Sequence, residues 1–211
     1  VTLFNAEGDR TTPSAVLFDD GDVIVGREAV KAVATEPMHV AECAKRDLGH
    51  SYYHRAVDGR EYPPEVLEAW ILAKLRRDAR QVVGPFKHAV ITVPAYFDDV
   101  RRRATQHAGY MAGIKVLDII NEPTAAAIAF GYLQQIAAEA DGDAHAPAEG
   151  ATTFLVYDLG GGTFDVTVMR LEGSEYKTLA TDGDVQLGGV DWDARLRDLV
   201  AERFLAEHGL D

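Results

Sequence analysis

Residues 158–166 read DLGGGTFDV: an apolar run ends in a carboxylate, three glycines follow, and a second run opens with a threonine and then carries another carboxylate. Glycine loses more conformational freedom on folding than any other residue, so three in a row belong where the backbone needs unusual dihedrals or must approach something closely. The flanking segments FLVY (154–157) and FDVTVM (164–169) read as paired strands with GGGT as their turn. Such a turn presents backbone N–H groups that no side chain shields, which makes an anion cradle suited to phosphate. Asp158 at the mouth of the turn would repel a phosphate unless a cation intervened. Mg²⁺ characteristically takes one or two carboxylates together with waters and phosphate oxygens. The stretch therefore points to a magnesium nucleotide, with a plain glycine-rich hairpin and a turn aspartate as the alternative. Neither GxxxxGK[ST] nor a strand-linked GxGxxG occurs, which excludes P-loop and Rossmann chemistry.

The rest of the chain supplies a scaffold for such a turn. VTLF (1–4), AVLF (15–18) and DVIV (22–25) read as short strands, and a helical pattern runs from Arg27 to Ala34 until Pro37 ends it. Residues 50–62 are turn-rich and suggest no regular element. Pro63 and Pro64 open the clearest helix, with Val66, Leu67, Trp70, Ile71 and Leu75 expected on its apolar face and Gly84-Pro85 as its stop. HAVITV (88–93) reads as a wholly apolar strand, Asp98 or Asp99 as the cap of a helix to about Met111, and KVLDII (115–120) as another strand. An alanine-rich helix follows Asn121 and Pro123 to about Gln135. Strand, helix, strand, helix at this spacing predicts a parallel α/β layer. The small, acidic stretch 137–150 reads as a flexible linker, the next 33 or so residues as a three-stranded meander, and LGGVDWDARLRDLVAERFLAEHG as a capped amphipathic helix.

A formal net charge of -13 excludes nucleic acid and anionic membrane surfaces as electrostatic partners, since both need a basic footprint. The clusters Arg76-Arg77-Arg80 and Arg101-Arg102-Arg103 are expected to be solvated helix faces. The single cysteine, Cys43, rules out an internal disulfide and is expected as a small core residue. No run is long enough for a membrane helix. A cytoplasmic protein is the expectation.

Beyond the hairpin, IINEPTAAAIAFGY (119–132), VITVPAYFDDVRRRATQHAGYMAGIKVL (90–117), RTTPS (10–14) and LGGVDWD (187–193) stand in one order along nearly the whole chain. In that order they resemble the ATPase domain of Hsp70-type chaperones (DnaK-like), within the actin-like ATPase superfamily. The resemblance implies an α/β, actin-like ATPase (ribonuclease H-like) fold. Residues 1–136 would be lobe I, with 14–62 its smaller subdomain, 137–150 the inter-lobe loop and 151–211 the start of lobe II. It implies ATP/ADP and Mg²⁺ as ligands, with Gly160, Gly161, Gly162 and Thr163 on the β- and γ-phosphates and Asp158 acting through Mg²⁺-bound or attacking water. Glu122 would face metal and nucleophilic water across the cleft, and Lys45 would be the cation near the γ-phosphate. On their own residues, Glu122 reads equally as a favourable acid at a helix N-terminus and Lys45 as a surface ion pair.

Pro94 and Arg102 match positions that relay nucleotide state to a substrate domain, although Pro94 is also a plain strand terminator. Asp165 matches a family acid whose role stays open. The implied partners are nucleotide, unfolded polypeptides, a J-domain co-chaperone and a nucleotide exchange factor. AKRDLG, a short stretch 49–62 and an expanded 137–150 depart from the family pattern. The chain opens inside a strand-like run without a methionine, and the resemblance puts a first phosphate motif upstream of Val1 and the remainder of lobe II after Asp211. A piece of a longer ATPase, unable to turn nucleotide over by itself, is the expectation. The alternatives are a degenerate nucleotide-binding or docking module and another actin-like ATPase of sugar-kinase or filament type.

Overall fold

The computed structural model describes residues 1–141, 151–173 and 175–209, with the backbone alone described over 133–141. Its contacts divide the chain into two units: Val1–Val93 with Phe97–Ile120, and Pro94–Tyr96 with Asn121–Asp211.

The first unit is organised by the strand β1 (Ala15–Asp19), which pairs antiparallel with β2 (Asp22–Val25) on one side and β3 (Val40–Glu42) on the other. Successive side chains of a strand point to opposite faces, and β1 buries both. Val16 and Phe18 join Ala41, Leu67 and Ile71 in one cluster, while Ala15 and Leu17 join Ala29 of α1 (Arg27–Ala32) and Val40 in another. α2 (Pro64–Val83), with proline in its first turn, covers the first face. β4 (His88–Val93), α3 (Asp99–Met111) and β5 (Lys115–Asn121) follow, and β4 and β5 are neighbours in a two-stranded sheet. The Asp98 side chain accepts from the Arg101 N–H at 2.9 Å and so caps α3. Gly109 lets α3 lie directly on this sheet: a Cβ there would stand 2.5 Å from Val116 Cγ2.

Several expectations need correction. VTLF forms no strand, because no described segment supplies a ladder for its N–H and C=O groups. α1 ends at Ala32, two residues early, and a separate turn of 3₁₀ helix, Pro37–His39, follows. The element-free stretch 50–62 nevertheless carries core residues, Tyr53 and Val57, with Phe18 stacked on Tyr62 at 4.6 Å. On α2 the enclosed face is Leu67, Ile71, Lys74 and Asp78, while Trp70 and Leu75 are exposed. Polar residues hold that face because Lys74 Nζ bonds Asp78 at 2.6 Å and both Glu7 oxygens at 2.9 Å. Burial works against the Lys74 charge, but those two carboxylates outweigh it and hold its pKa above the ordinary lysine value.

β4 alternates rather than being buried throughout, since in this sheet only one of its faces meets the cluster of Leu72, Ala73 and Ile114. Cys43 is half-buried in a left-handed conformation ahead of a 3₁₀ turn, not a core residue. The arginine clusters do more than meet solvent: Arg76 Nη1 donates to the Ala112 carbonyl at 3.3 Å and Arg101 Nε to that of Leu48 at 3.2 Å.

In the second unit α4 (Glu122–Asp141) packs against the antiparallel meander β6 (Thr152–Leu159), β7 (Phe164–Glu172) and β8 (Glu175–Asp184). α4 runs past Gln135, so residues 137–141 of the expected linker are helical, as their alanines favour; residues 142–150 lie outside the described residues. α5 (Gly189–His208) closes the chain. Its apolar stripe of Leu196, Val200 and Phe204 remains exposed, because no described element packs broadly along it. No helix among the described residues is long and apolar enough to cross a membrane.

Candidate functional site

The glycine turn joins β6 to β7 in a register that sets Asp158 opposite Asp165 and Leu159 opposite Phe164. The Gly160 N–H donates to the Thr163 carbonyl at 2.9 Å and closes the turn. Outside the turn stands the start of α5. There the Gly189 N–H donates to the Gly160 carbonyl and the Val190 N–H to that of Gly161, both at 3.0 Å. Two N–H groups that a helix terminus leaves without intrahelical partners thus tie down two turn carbonyls.

Gly188 makes this approach possible. A Cβ on it would lie 2.5 Å from the carbonyl of Gly161 and the nitrogen of Gly162. Its N–H bonds Asp191 Oδ2 at 2.8 Å, which fixes the first turn of α5. Gly161 is different. A Cβ there would meet nothing within 4 Å, and its N–H donates no hydrogen bond among the described residues. The turn therefore combines a fastened carbonyl side with an open position where a backbone amide is accessible.

The carboxylates at its root are unlike in setting. Asp158 is half-buried, whereas Asp165 is 2% exposed and accepts from the Ala95 N–H at 3.1 Å. Like charges directly across a ladder oppose each other, so the pair is best tolerated when each acid has a positive partner. Asp165 has the Ala95 amide. Beside it, Tyr96 Oη donates to Asp182 Oδ1 at 2.7 Å, which raises the tyrosine pKa and lowers the aspartate's. Pro94, fully enclosed, opens this tripeptide. It both ends β4 and leads into the segment fastened to the meander.

Thr163 is buried at the end of the turn. Glu122 is the first residue of α4, half-buried ahead of the fully enclosed Pro123. Glu122, Asp158, Gly160, Gly161, Gly162, Thr163 and Pro94 all belong to the second unit, while Lys45 and Arg102 belong to the first. Lys45 lies in the 3₁₀ turn Ala44–Asp47 with its ammonium 6.0 Å from the centre of the Phe97 ring. Arg102 Nε donates to the Phe97 carbonyl at 2.9 Å.

Sequence reasoning left Asp165 without a role and passed over Gly188. Both had a readable signal: Asp158 and Asp165 are equidistant from the turn, and a glycine pair precedes α5.

Among the described residues no three His, Cys, Asp or Glu side chains form a self-sufficient metal site. A nucleotide-bound magnesium asks for less, and a half-buried carboxylate beside an anion cradle is the donor set it uses.

The family model described as Hsp70 protein matches residues 1–60 and 54–211. The chaperone protein DnaK of Halobacterium salinarum is 46% identical over 210 residues, covering 99% of this chain and 31% of that protein. The DnaK of Thermotoga neapolitana is 44% identical over 209 residues, covering 98% of this chain and 33% of its own length. The chain thus spans about a third of the curated relatives it matches.

Proposed function

The chain belongs to the Hsp70 protein family, and from that membership we propose that it is part of the ATP-binding and ATP-hydrolysing domain of a chaperone that couples nucleotide state to the binding of unfolded polypeptides. Its fold is accordingly the α/β, actin-like ATPase fold. Residues 1–136 are read as lobe I and 151–211 as the start of lobe II. The observation that carries the functional reading is the glycine turn, with its carbonyls held by α5 and the Gly161 amide accessible.

In this reading Gly160, Gly161, Gly162 and Thr163 contact the β- and γ-phosphates: the Gly161 N–H donates to a phosphate oxygen, the Gly160 N–H keeps the turn closed on the Thr163 carbonyl, and the Thr163 hydroxyl orients the terminal phosphate. Asp158 and Glu122 would hold magnesium through water, and Asp158 would orient the attacking water. Magnesium, when bound, neutralises developing charge on the phosphates. Lys45 contributes a cation at the γ-phosphate. Preorganised donors of this kind are what phosphoryl transfer demands, because positioning and charge stabilisation carry most of the catalysis. Pro94 and Arg102 relay nucleotide state toward the polypeptide-binding region. The fastening of Ala95 to Asp165 supports that role, since it ties the residue after Pro94 to the strand that leaves the phosphate turn. A J-domain co-chaperone and a nucleotide exchange factor complete the cycle in the cytoplasm.

Single-turnover hydrolysis of Mg-ATP by the full-length protein, with and without an unfolded peptide, tests the reading. Slow hydrolysis accelerated by peptide is the expected result. Tight nucleotide binding without hydrolysis would replace it with a docking module.

A further inference from the structure

Glu68 has no part in the chemistry above, yet its surroundings are unusual for a glutamate. It stands in the second turn of α2, half-buried as a residue, but its Oε1 is fully enclosed and accepts no hydrogen bond among the described residues. Buried polar atoms are nearly always satisfied, and an orphan carboxylate oxygen is costly unless it has work to do.

The carboxyl lines a cavity of about 530 Å³ that lies wholly within the first unit, walled by α2, β4, Phe97 and the turn that carries Lys45. The other charged groups on that wall are Lys45, from the 3₁₀ turn, and Arg76, two turns further along α2. Arg76 is engaged elsewhere through Nη1, at the Ala112 carbonyl, and its Nε is enclosed without a partner. β4, α3 and Ile114 contribute only uncharged side chains. Burial pushes the Glu68 carboxyl up to about 7, and the Lys45 charge is the influence acting the other way. A carboxyl in this position changes charge across neutral pH.

We propose that Glu68 is a positioning residue for Lys45: its carboxylate draws the Lys45 ammonium toward the cavity, and its neutral form releases it. The inference rests on the reading of Lys45 as the cation at the γ-phosphate. An ionised Glu68 competes with phosphate for that ammonium, and a protonated one leaves it to the nucleotide. A glutamate of merely structural value would be replaceable by an apolar side chain with no effect on Lys45.

The test compares the full-length wild-type protein with Glu68→Gln in two ways. Trace labelling of Lys45 by acetic anhydride without nucleotide, read by mass spectrometry across roughly pH 6 to 8, reports the ammonium's environment. In the wild type a step near pH 7 lowers Lys45 reactivity, and Glu68→Gln abolishes the step. In the second arm, the wild-type KM for Mg-ATP rises roughly tenfold over the same range with a smaller change in kcat, and in Glu68→Gln it stays flat.

Identical labelling profiles in the two proteins overturn the inference. So does hydrolysis whose pH dependence Glu68→Gln shares, and in that case the proposed function stands. A labelling step that Glu68→Gln removes, in a protein that hydrolyses no ATP, upholds the link between Glu68 and Lys45 while the proposed function fails. Should Glu68→Gln not fold, Glu68→Leu fills the same space with apolar atoms and carries the same expectation in both arms.

Discussion

Two short turns carry the groups assigned to phosphate, and they are built on opposite principles. Gly160 to Thr163 is made of backbone: main-chain hydrogen bonds from α5 and within the turn itself hold it, and Gly188 must lack a Cβ for α5 to come that close. Ala44–Asp47 is made of side chains. The surroundings of its Lys45 are assembled from Glu68 on α2 and Phe97 after β4, residues far along the chain. The first kind of site has little freedom to adjust and no charge of its own to titrate. The second can be tuned by a single substitution and responds to pH.

The largest expected effect tests the backbone half. Gly161→Val places a branched side chain in the open position at the tip of the turn, so Mg-ATP affinity of the full-length protein should fall roughly a thousandfold. Unfolding free energy should move by less than about 1 kcal/mol, because a Cβ at this position has no protein neighbour within 4 Å. Isothermal titration with urea unfolding measures both. Unchanged affinity would break the comparison at its stronger end, since the turn would then not be the receptor.

The side-chain half is tested by Glu68→Leu. The folded-state carboxyl is raised to about 7, above its unfolded value, so its protonated form favours folding at low pH. That contribution is fully present below the unfolded value and is lost as pH rises through 7. Between about pH 4 and pH 8 the wild type should therefore lose roughly 3 kcal/mol relative to the variant. Urea unfolding at the two pH values measures the difference. Parallel pH profiles would show that Glu68 reaches water or a partner at both.

This division also explains what could be read in advance. The hairpin was legible in nine residues because a glycine run between two strand-like segments is a local signal, and the meander, α2 and α3 were legible because their caps, stops and periodicities are local too. The environment of Lys45 was not, because nothing near residue 45 announces Glu68 or Phe97. Lys74 shows the same limit. A lysine on the apolar stripe of α2 reads as a break in the pattern until Glu7, 67 residues earlier, folds over it. α5 erred in the other direction, since its stripe of leucine, valine and phenylalanine predicts burial that no described element provides. Asp158 was singled out by the chemistry of the hairpin itself, whereas Glu122 and Lys45 were proposed from family motifs; by local chemistry alone Glu122 reads as an acid at a helix N-terminus and Lys45 as a surface ion pair.

Gly188→Ala sharpens the contrast within the backbone half. Its Cβ would collide at 2.5 Å with the main chain of Gly161 and Gly162, which cannot rotate away as a side chain can. A cost of roughly 2 kcal/mol is expected, together with weaker nucleotide binding, because the displaced backbone is that of the cradle. The same alanine at Gly161 should cost far less stability. Equal costs at the two positions would mean that α5 does not brace the turn.

The smallest effect belongs to Asp165, where the two principles meet: a side chain that holds backbone. Asp165→Asn keeps an oxygen for the Ala95 N–H but removes the charge, and hydrogen bonds to charged groups exceed neutral ones by roughly 1 kcal/mol. Removing the charge also relieves its opposition to Asp158 across the ladder, so the net loss in unfolding free energy should be about 1 kcal/mol or less. Asp165→Ala lacks that relief's counterpart, an acceptor, and should lose more and speed hydrogen exchange at the Ala95 amide. If Asp165→Asn instead stabilises the protein, repulsion between the two aspartates outweighs the charged hydrogen bond. The hairpin would then hold its carboxylates together at a cost that only a bound cation relieves, which would make Mg²⁺-dependence of its stability the next quantity to measure.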